Sequence, residues 1–489
     1  MMMGLPNTSY AGLAGIAVLA GFVSFIIQCI YNLYFHPLAK YPGPFLHRAT
    51  RLAFVWKLVR GYLPKAVLPM HAKYGRIDIY GHRPGVGPDN EVPKAPVFYK
   101  MGSMPPSIVS ENHANHSLLR KQMAHGFSDR AMRDQEPIVM SYVDLLIRRL
   151  REHCLDPDSK DVETGLQARR PLDMTAWYNW TTFDIIGDLA FGEPFGCLDK
   201  AKYDPWVASI NGTLKNTGYL LAVKHLRLQG FLVPLLLKSP ARQEHAKRTQ
   251  AKLQRRMELT VERPDLIEGL LKNKDAWNLD IGRIQMNAST LIIAGSETTA
   301  TLLTGLTFLL LQNPGALKRL TQEVRTAFKS DEDITFASVT TLHYMLACIN
   351  EGLRRYSPVP IGMPREAPKG GVTVAGEFVP EGTMVAVWQW ATHHSEENWT
   401  DPFGFHPERF LHDPKFASDR LDSLQPFSVG PRNCIGKNLA IVEMRLILAK
   451  IIFHFDMELV NKNFDFMDQR THILWEKPDL PIYLTPVVR

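Results

Sequence analysis

The sequence predicts a mainly α-helical domain with a small β subdomain, preceded by a single membrane-spanning helix. Three observations predict it. An uncharged apolar run lies near the amino terminus, apolar residues recur at helical spacing over most of the remaining chain, and one short stretch alternates with Gly and Pro breaks. With 489 residues and 45% hydrophobic content there is material for one large core. The formal charge of +7 is mild for this length and no basic block is interleaved with aromatics, so nothing points to nucleic acid as a partner.

The apolar run is "YAGLAGIAVLAGFVSFIIQCI", Tyr10 to Ile30. As a helix rising ~1.5 Å per residue it spans about 31 Å, the thickness of a hydrocarbon core. It is longer than the apolar region of a cleaved signal peptide, and no Lys or Arg precedes it. No acidic residue occurs before Asp78, whereas Lys40, Arg48, Arg51, Lys57, Arg60 and Lys65 follow the run, which orients the large domain to the cytosol. "YPGP", Tyr41 to Pro44, stops the helix and directs the chain away from the membrane. The chain therefore divides into an anchor over 1–35, a Pro-containing basic hinge over 36–60 and one domain over 61–489. The sequons at Asn179 and Asn398 would be silent in the cytosol, and that at Asn7 would be accessible to glycosylation.

Helical spacing marks 112–126, 133–153, 175–190, 280–312, 314–329, 339–355 and 435–453. The section 361–390 contains "GGVTVAGEFVPEGTMVAV", which reads as small strands and turns. The five cysteines (Cys29, Cys154, Cys197, Cys348 and Cys434) form no CxxC pair, so neither a disulfide framework nor a zinc site is expected, and a chemically active cysteine would act alone.

Cys434 is the candidate for such a role. It sits in "FSVGPRNCIGKNLA" between Gly430 and Gly436, which permit tight backbone geometry and close approach of something flat. Helical spacing begins at Ile435, so the thiol lies at a helix amino terminus, where free N–H groups favour the thiolate. A thiolate on a rigid turn is a soft, strongly donating ligand for a haem iron. Arg432 is placed to neutralise a carboxylate of the same cofactor.

The pattern Phe427, Gly430, Arg432, Cys434 and Gly436 resembles the haem-ligand signature of the cytochrome P-450 (haem-thiolate monooxygenase) superfamily. Three further motifs carry the resemblance, in the same order along the chain. "AGSETT" lies in the long helix 280–312. The resemblance implies that Ala294 and Gly295 clear space over the macrocycle and that Glu297 and Thr298 deliver protons in a water-poor pocket. Mid-helix threonines also commonly bond back to helix carbonyls, which is the bland reading of Thr298. "EGLR" places Glu351 and Arg354 on one helix face, and with Arg409 of "PERF" the resemblance implies a buried structural network. "HSLLR" implies that Arg120 and His116 hold haem propionates, although the family more often has Trp where His116 stands. Arg365 in "MPREAP" is a further propionate partner by the same resemblance.

The resemblance covers essentially the whole chain and implies a cytochrome P-450 fold carrying haem b (iron protoporphyrin IX), with Cys434 as axial iron ligand. It implies insertion of one oxygen atom of O2 into a lipophilic small molecule. No flavin or dinucleotide motif is present, so electrons would come from an NADPH-dependent flavoprotein reductase, with the protein in the endoplasmic reticulum membrane. The anchor and "YFHPLAKYPGP" resemble the fungal microsomal branch, in the style of secondary-metabolism enzymes such as isotrichodermin C-15 hydroxylase, hence a terpenoid or polyketide type of substrate. The segments 102–112, 211–236, 287–299, 357–364 and 471–475 are expected to line the pocket. "GFLVPLLL", Gly230 to Leu237, either dips into the membrane or packs in the core. Rival readings are a haem-thiolate desaturase, isomerase or dehydratase, a non-catalytic haem sensor and, remotely, a cysteine hydrolase.

Overall fold

The helix Ile281–Gln312 is the axis of the molecule. Asp280 caps it by accepting the Arg283 N–H at 2.9 Å, and apolar residues surround it on all sides over its carboxyl-terminal half. It is long and apolar enough to cross a bilayer, yet its most apolar window is 78% buried, so it is a core helix. This is a computed structural model, and it describes residues 10–74, 91–100, 104–160, 167–228, 230, 232, 240–259, 263, 265–275, 277 and 279–488.

Against this axis lies the helix Met174–Phe191, capped by Asp173 and buried on nearly every face. The contact is tight at Gly295, where a Cβ would lie 2.7 Å from Ile186 Cδ1. The sequence reading gave Gly295 the task of clearing space for a flat ring; it borders the cavity, and a side chain there would also have to displace Ile186. The helix Lys437–His454 runs directly into the strand Phe455–Leu459. That strand pairs antiparallel with Pro481–Pro486, which pairs in turn with Leu172–Asp173.

All seven helices predicted from spacing are present, with ends shifted by a few residues. The 361–390 section forms two small antiparallel pairs, Arg365–Glu366 with Met384–Val385 and Val372–Val374 with Glu377–Val379. Ala367, Val374, Val379 and Val385 form their own small apolar cluster.

At the amino end the apolar helix runs Tyr10–Tyr34, and no part of its 23-residue candidate span is buried. The stretch read as a hinge is not extended. It holds the helices Phe45–Ala49 and Leu52–Arg60, and Val55 and Leu58 are buried with Leu63, Val67 and Leu221. Val55 and Leu58 are three residues apart and share one helix face, which is why the segment folds onto the domain. Asn179 and Asn398 are both buried, so their sequons are sterically closed. Asn7 lies outside the described residues, as does all of "GFLVPLLL" except Gly230 and Leu232. All five cysteines are free.

Candidate active site

A cavity separates the long helix from the Cys434 loop. Leu291, Ala294, Gly295 and Thr298 form one wall; Phe427, Arg432, Cys434 and Gly436 form the other, and Pro358, Val359 and Met363 border it. The empty space, including its mouth, is about 1310 Å³. Ala294 is exposed in the middle of an otherwise buried helix because it faces this space. Cys434 is likewise exposed, to the cavity rather than to bulk solvent.

The loop that presents Cys434 is folded by its own backbone. The Cys434 N–H donates to the Phe427 carbonyl at 2.8 Å, closing the turn. Gly430 has φ +75°, a conformation that favours glycine. Gly436 has an ordinary φ of −88° and caps the following helix; its value lies in bordering the cavity without a side chain. The helix terminus acts in the expected direction, the Gly436 N–H favouring the thiolate, but burial opposes it. Burial raises the Cys434 pKa, and the Gly436 N–H, Arg120 and Lys437 offset this only in part. A thiolate here needs a further positive charge.

The paired motif on the long helix is split by the helix turn. Thr298 borders the cavity, its hydroxyl donating to the Ala294 carbonyl at 2.6 Å. Glu297 is buried and borders the opposite side, where Lys477 Nζ donates to its Oε2 at 2.7 Å. Lys477 also donates to Thr301 Oγ1 at 2.9 Å. This lysine, 180 residues away in sequence, was not foreseen. A second acid that the sequence reading missed, Glu443, lines the cavity with its Oε1 lacking a hydrogen-bond partner, and burial pushes its pKa up to about 8.

The basic residues assigned to propionates cluster at one edge. Arg120 donates to the Asn433 carbonyl and to Asn433 Oδ1, both at 2.6 Å, bracing the residue before Cys434. Arg365 and Arg432 both reach Glu91, another residue the sequence reading missed. His116 is buried, and burial together with Arg432, Lys94 and Arg120 lowers its pKa to about 3, so it stands there as a neutral imidazole.

The remaining motif lies fully buried. Arg354 Nε and Nη2 donate to the two Glu351 oxygens at 2.8 Å each, and Arg409 Nε donates to the same carboxylate at 3.2 Å. Arg354 further donates to the carbonyls of His393, Pro402 and Gly404. Arg409 also pairs with Asp419, a fourth member not foreseen.

The sequence profile named Cytochrome P-450 matches residues 89–483. This chain belongs to that family. A cytochrome P-450 monooxygenase of Talaromyces stipitatus is 46% identical over 509 aligned positions, spanning 99% of this chain and 97% of the relative. Trichothecene C-15 hydroxylase of Fusarium sporotrichioides is 38% identical, spanning 98% of each. Averantin hydroxylase of Dothistroma septosporum is 40% identical, spanning 93% of this chain and 88% of the relative. This cytochrome P-450 is thus a monooxygenase that works with a haem iron, O2 and a redox partner.

The residues present fit such a group. The cavity runs between two facing, largely apolar walls, as a flat apolar group requires. Its soft donor, Cys434, opens on the cavity shielded from bulk solvent, where a bound iron would supply the positive charge that favours the thiolate. A second, smaller cavity of about 700 Å³ lies between Phe54, Leu58, Leu221, Ile361, Trp388 and His472. It touches three of the segments expected to meet substrate.

Proposed function

We propose that this cytochrome P-450 inserts one oxygen atom of O2 into a lipophilic small molecule of fungal secondary metabolism, of terpenoid or polyketide type. The observation that carries this reading is that Cys434 and the Ala294–Thr298 turn face each other across one largely apolar cavity. Haem b is the proposed cofactor; Cys434 would hold its iron, and the bound group would supply the reductive activation of O2.

The chain's own residues bind, orient and hold protons. Arg120 braces the cysteine loop through Asn433, and Arg365 and Arg432 offer charge for the propionates, with His116 as a neutral neighbour. Phe427, Gly430 and Gly436 shape the loop, while Ala294 and Gly295 keep the opposite wall low. Thr298 offers a hydroxyl inside the cavity, and Glu297 behind it is held by Lys477 as a proton store on the far side of the helix. Glu351, Arg354 and Arg409 fix the architecture beneath the cysteine helix. The apolar walls exclude water and suit a lipophilic substrate. The names of the hydroxylases of trichothecene and averantin support the same substrate class.

Electrons would come from an NADPH-dependent flavoprotein reductase. Residues 1–35 would anchor the protein in the endoplasmic reticulum membrane with 61–489 in the cytosol as the catalytic domain, and 36–60 held against that domain. The exposed Phe45, Leu46, Leu52 and Trp56 just after the apolar helix support contact with the membrane surface. Turnover of a lipophilic substrate panel with reductase, NADPH and ¹⁸O2 tests the reading. One labelled oxygen per product is expected; product formation with no label and no oxygen uptake contradicts it.

A further inference from the structure

Glu91 joins two cations that the sequence had assigned to one task. Arg365 Nη1 donates to Glu91 Oε1 at 2.6 Å, and Arg432 Nε donates to Oε1 at 3.0 Å and Oε2 at 3.2 Å. His113 Nδ1 donates to Oε2 at 2.9 Å. The side chains of Arg365 and Arg432 are only 6% and 5% exposed, and that of Glu91 is 15% exposed. Burial alone would raise the Glu91 pKa, but His113, Arg432 and Arg365 outweigh it and hold the carboxylate at about 2.

Bringing two buried guanidiniums onto one carboxylate leaves positive charge uncompensated. The same cluster includes Arg120 and Lys94, both near enough to His116 to depress its pKa. Glu111 is already matched by Arg283. Among the described residues, Arg120, Arg365, Arg432 and Lys94 therefore stand with one carboxylate, Glu91, at the edge of the cavity that Arg432 lines. Burial first, and then Arg432 and Arg365, lower the Lys94 pKa to about 7. The excess of positive charge suits further carboxylates, and a haem carries two propionates.

We infer that Glu91 is a positioning residue of the haem-propionate site: it clamps Arg365 and Arg432 side by side and offsets part of the local positive charge that would face the two propionates. The inference rests on the haem-binding reading above. Glu91 also sits where the chain 93–95 meets the strand Arg365–Glu366, since the Glu366 N–H donates to the Pro93 carbonyl and the Ala95 N–H to the Pro364 carbonyl. A purely mechanical brace between these segments is thus the alternative, and charge separates the two. A brace affects stability alone, whereas a counter-charge also affects how tightly the haem is held and how readily it is reduced.

The test uses full-length haem-loaded protein as wild type, Glu91→Gln and Glu91→Asp. Three quantities are measured: the rate of haem loss to excess apomyoglobin, the ferric/ferrous midpoint potential, and thermal stability. Glu91→Gln is expected to lose haem ~10-fold faster. Its midpoint potential should rise, because a negative charge that opposes reduction is removed; Glu91→Asp should lie between it and wild type. Haem loss and potential at wild-type values in Glu91→Gln overturn the inference, whatever happens to thermal stability. Should Glu91→Gln not accumulate as folded protein, Glu91→Asp decides alone, intermediate values supporting the inference and wild-type values overturning it. A wild type that binds no haem refutes the underlying reading instead, and is seen before any variant is made.

Discussion

Two clusters of buried charge lie within this molecule, and they are built on opposite plans. Around Glu351 the charges match: two carboxylates, Glu351 and Asp419, meet two guanidiniums, Arg354 and Arg409, and all four side chains are 0% exposed. The remaining donors of Arg354 end on backbone carbonyls. Around Arg432 the charges do not match, and the cluster opens on a cavity. A closed, balanced network holds a structure together, whereas an open, unbalanced one is built for something not in the chain. The same contrast holds among the acids. Glu297 and Glu443 each have one buried oxygen unpartnered, but Glu297 is paired through the other with Lys477, while Glu443 faces the cavity and forms no ion pair among the described residues.

Breaking the closed cluster should have the largest effect. Arg354→Met strands Glu351 without its bidentate partner and leaves three carbonyls without a donor. A loss of about 3–5 kcal/mol is expected in chemical denaturation, with little folded haem protein recovered. Wild-type stability in that variant would dissolve the distinction between the two clusters.

The next effect depends on pH. The folded-state pKa of Glu443 is raised to about 8 from an ordinary carboxylate value. Its contribution to stability is fully present below about pH 4.5 and is lost as pH rises through about 8. At about 1.4 kcal/mol per unit the decline reaches roughly 3 kcal/mol by pH 7 and about 5 kcal/mol once the folded group has titrated. Glu443→Gln, neutral throughout, should flatten that decline in denaturation curves taken across this window; an unchanged slope would place the titration elsewhere.

The smallest structural effect is expected in the open region. Thr298→Ala removes one hydroxyl at the cavity wall and should cost less than about 1 kcal/mol. The haem should remain bound, but product formed per NADPH should fall and hydrogen peroxide should rise. Unchanged coupling would remove Thr298 from proton delivery.

The local motifs were legible because their chemistry is written in consecutive residues. The Cys434 loop, the Glu351–Arg354 face and the Ala294–Thr299 turn each need only one helix or one turn to be recognised. What joins them was not legible. Lys477 reaches Glu297, and Glu91 reaches Arg365 and Arg432, across separations of hundreds of residues with no periodicity to betray them. Asp419 escaped for the opposite reason, as one acid among several on an irregular loop. The helix Leu52–Arg60 was hidden by its basic residues, which read as a charged connection until its two buried positions found Leu63 and Leu221. The burial that opposes the thiolate at Cys434 was not legible, because a helix terminus is visible in sequence and depth is not.

The central claim is that the Cys434 sulfur binds iron across the cavity from the Ala294–Thr298 turn. The carbon monoxide difference spectrum of the reduced full-length protein tests it most directly, with Cys434→Ser beside it. A strongly red-shifted thiolate band in the wild type, absent from Cys434→Ser, is predicted; a band typical of nitrogen ligation in the wild type, or one that survives the substitution, would contradict it.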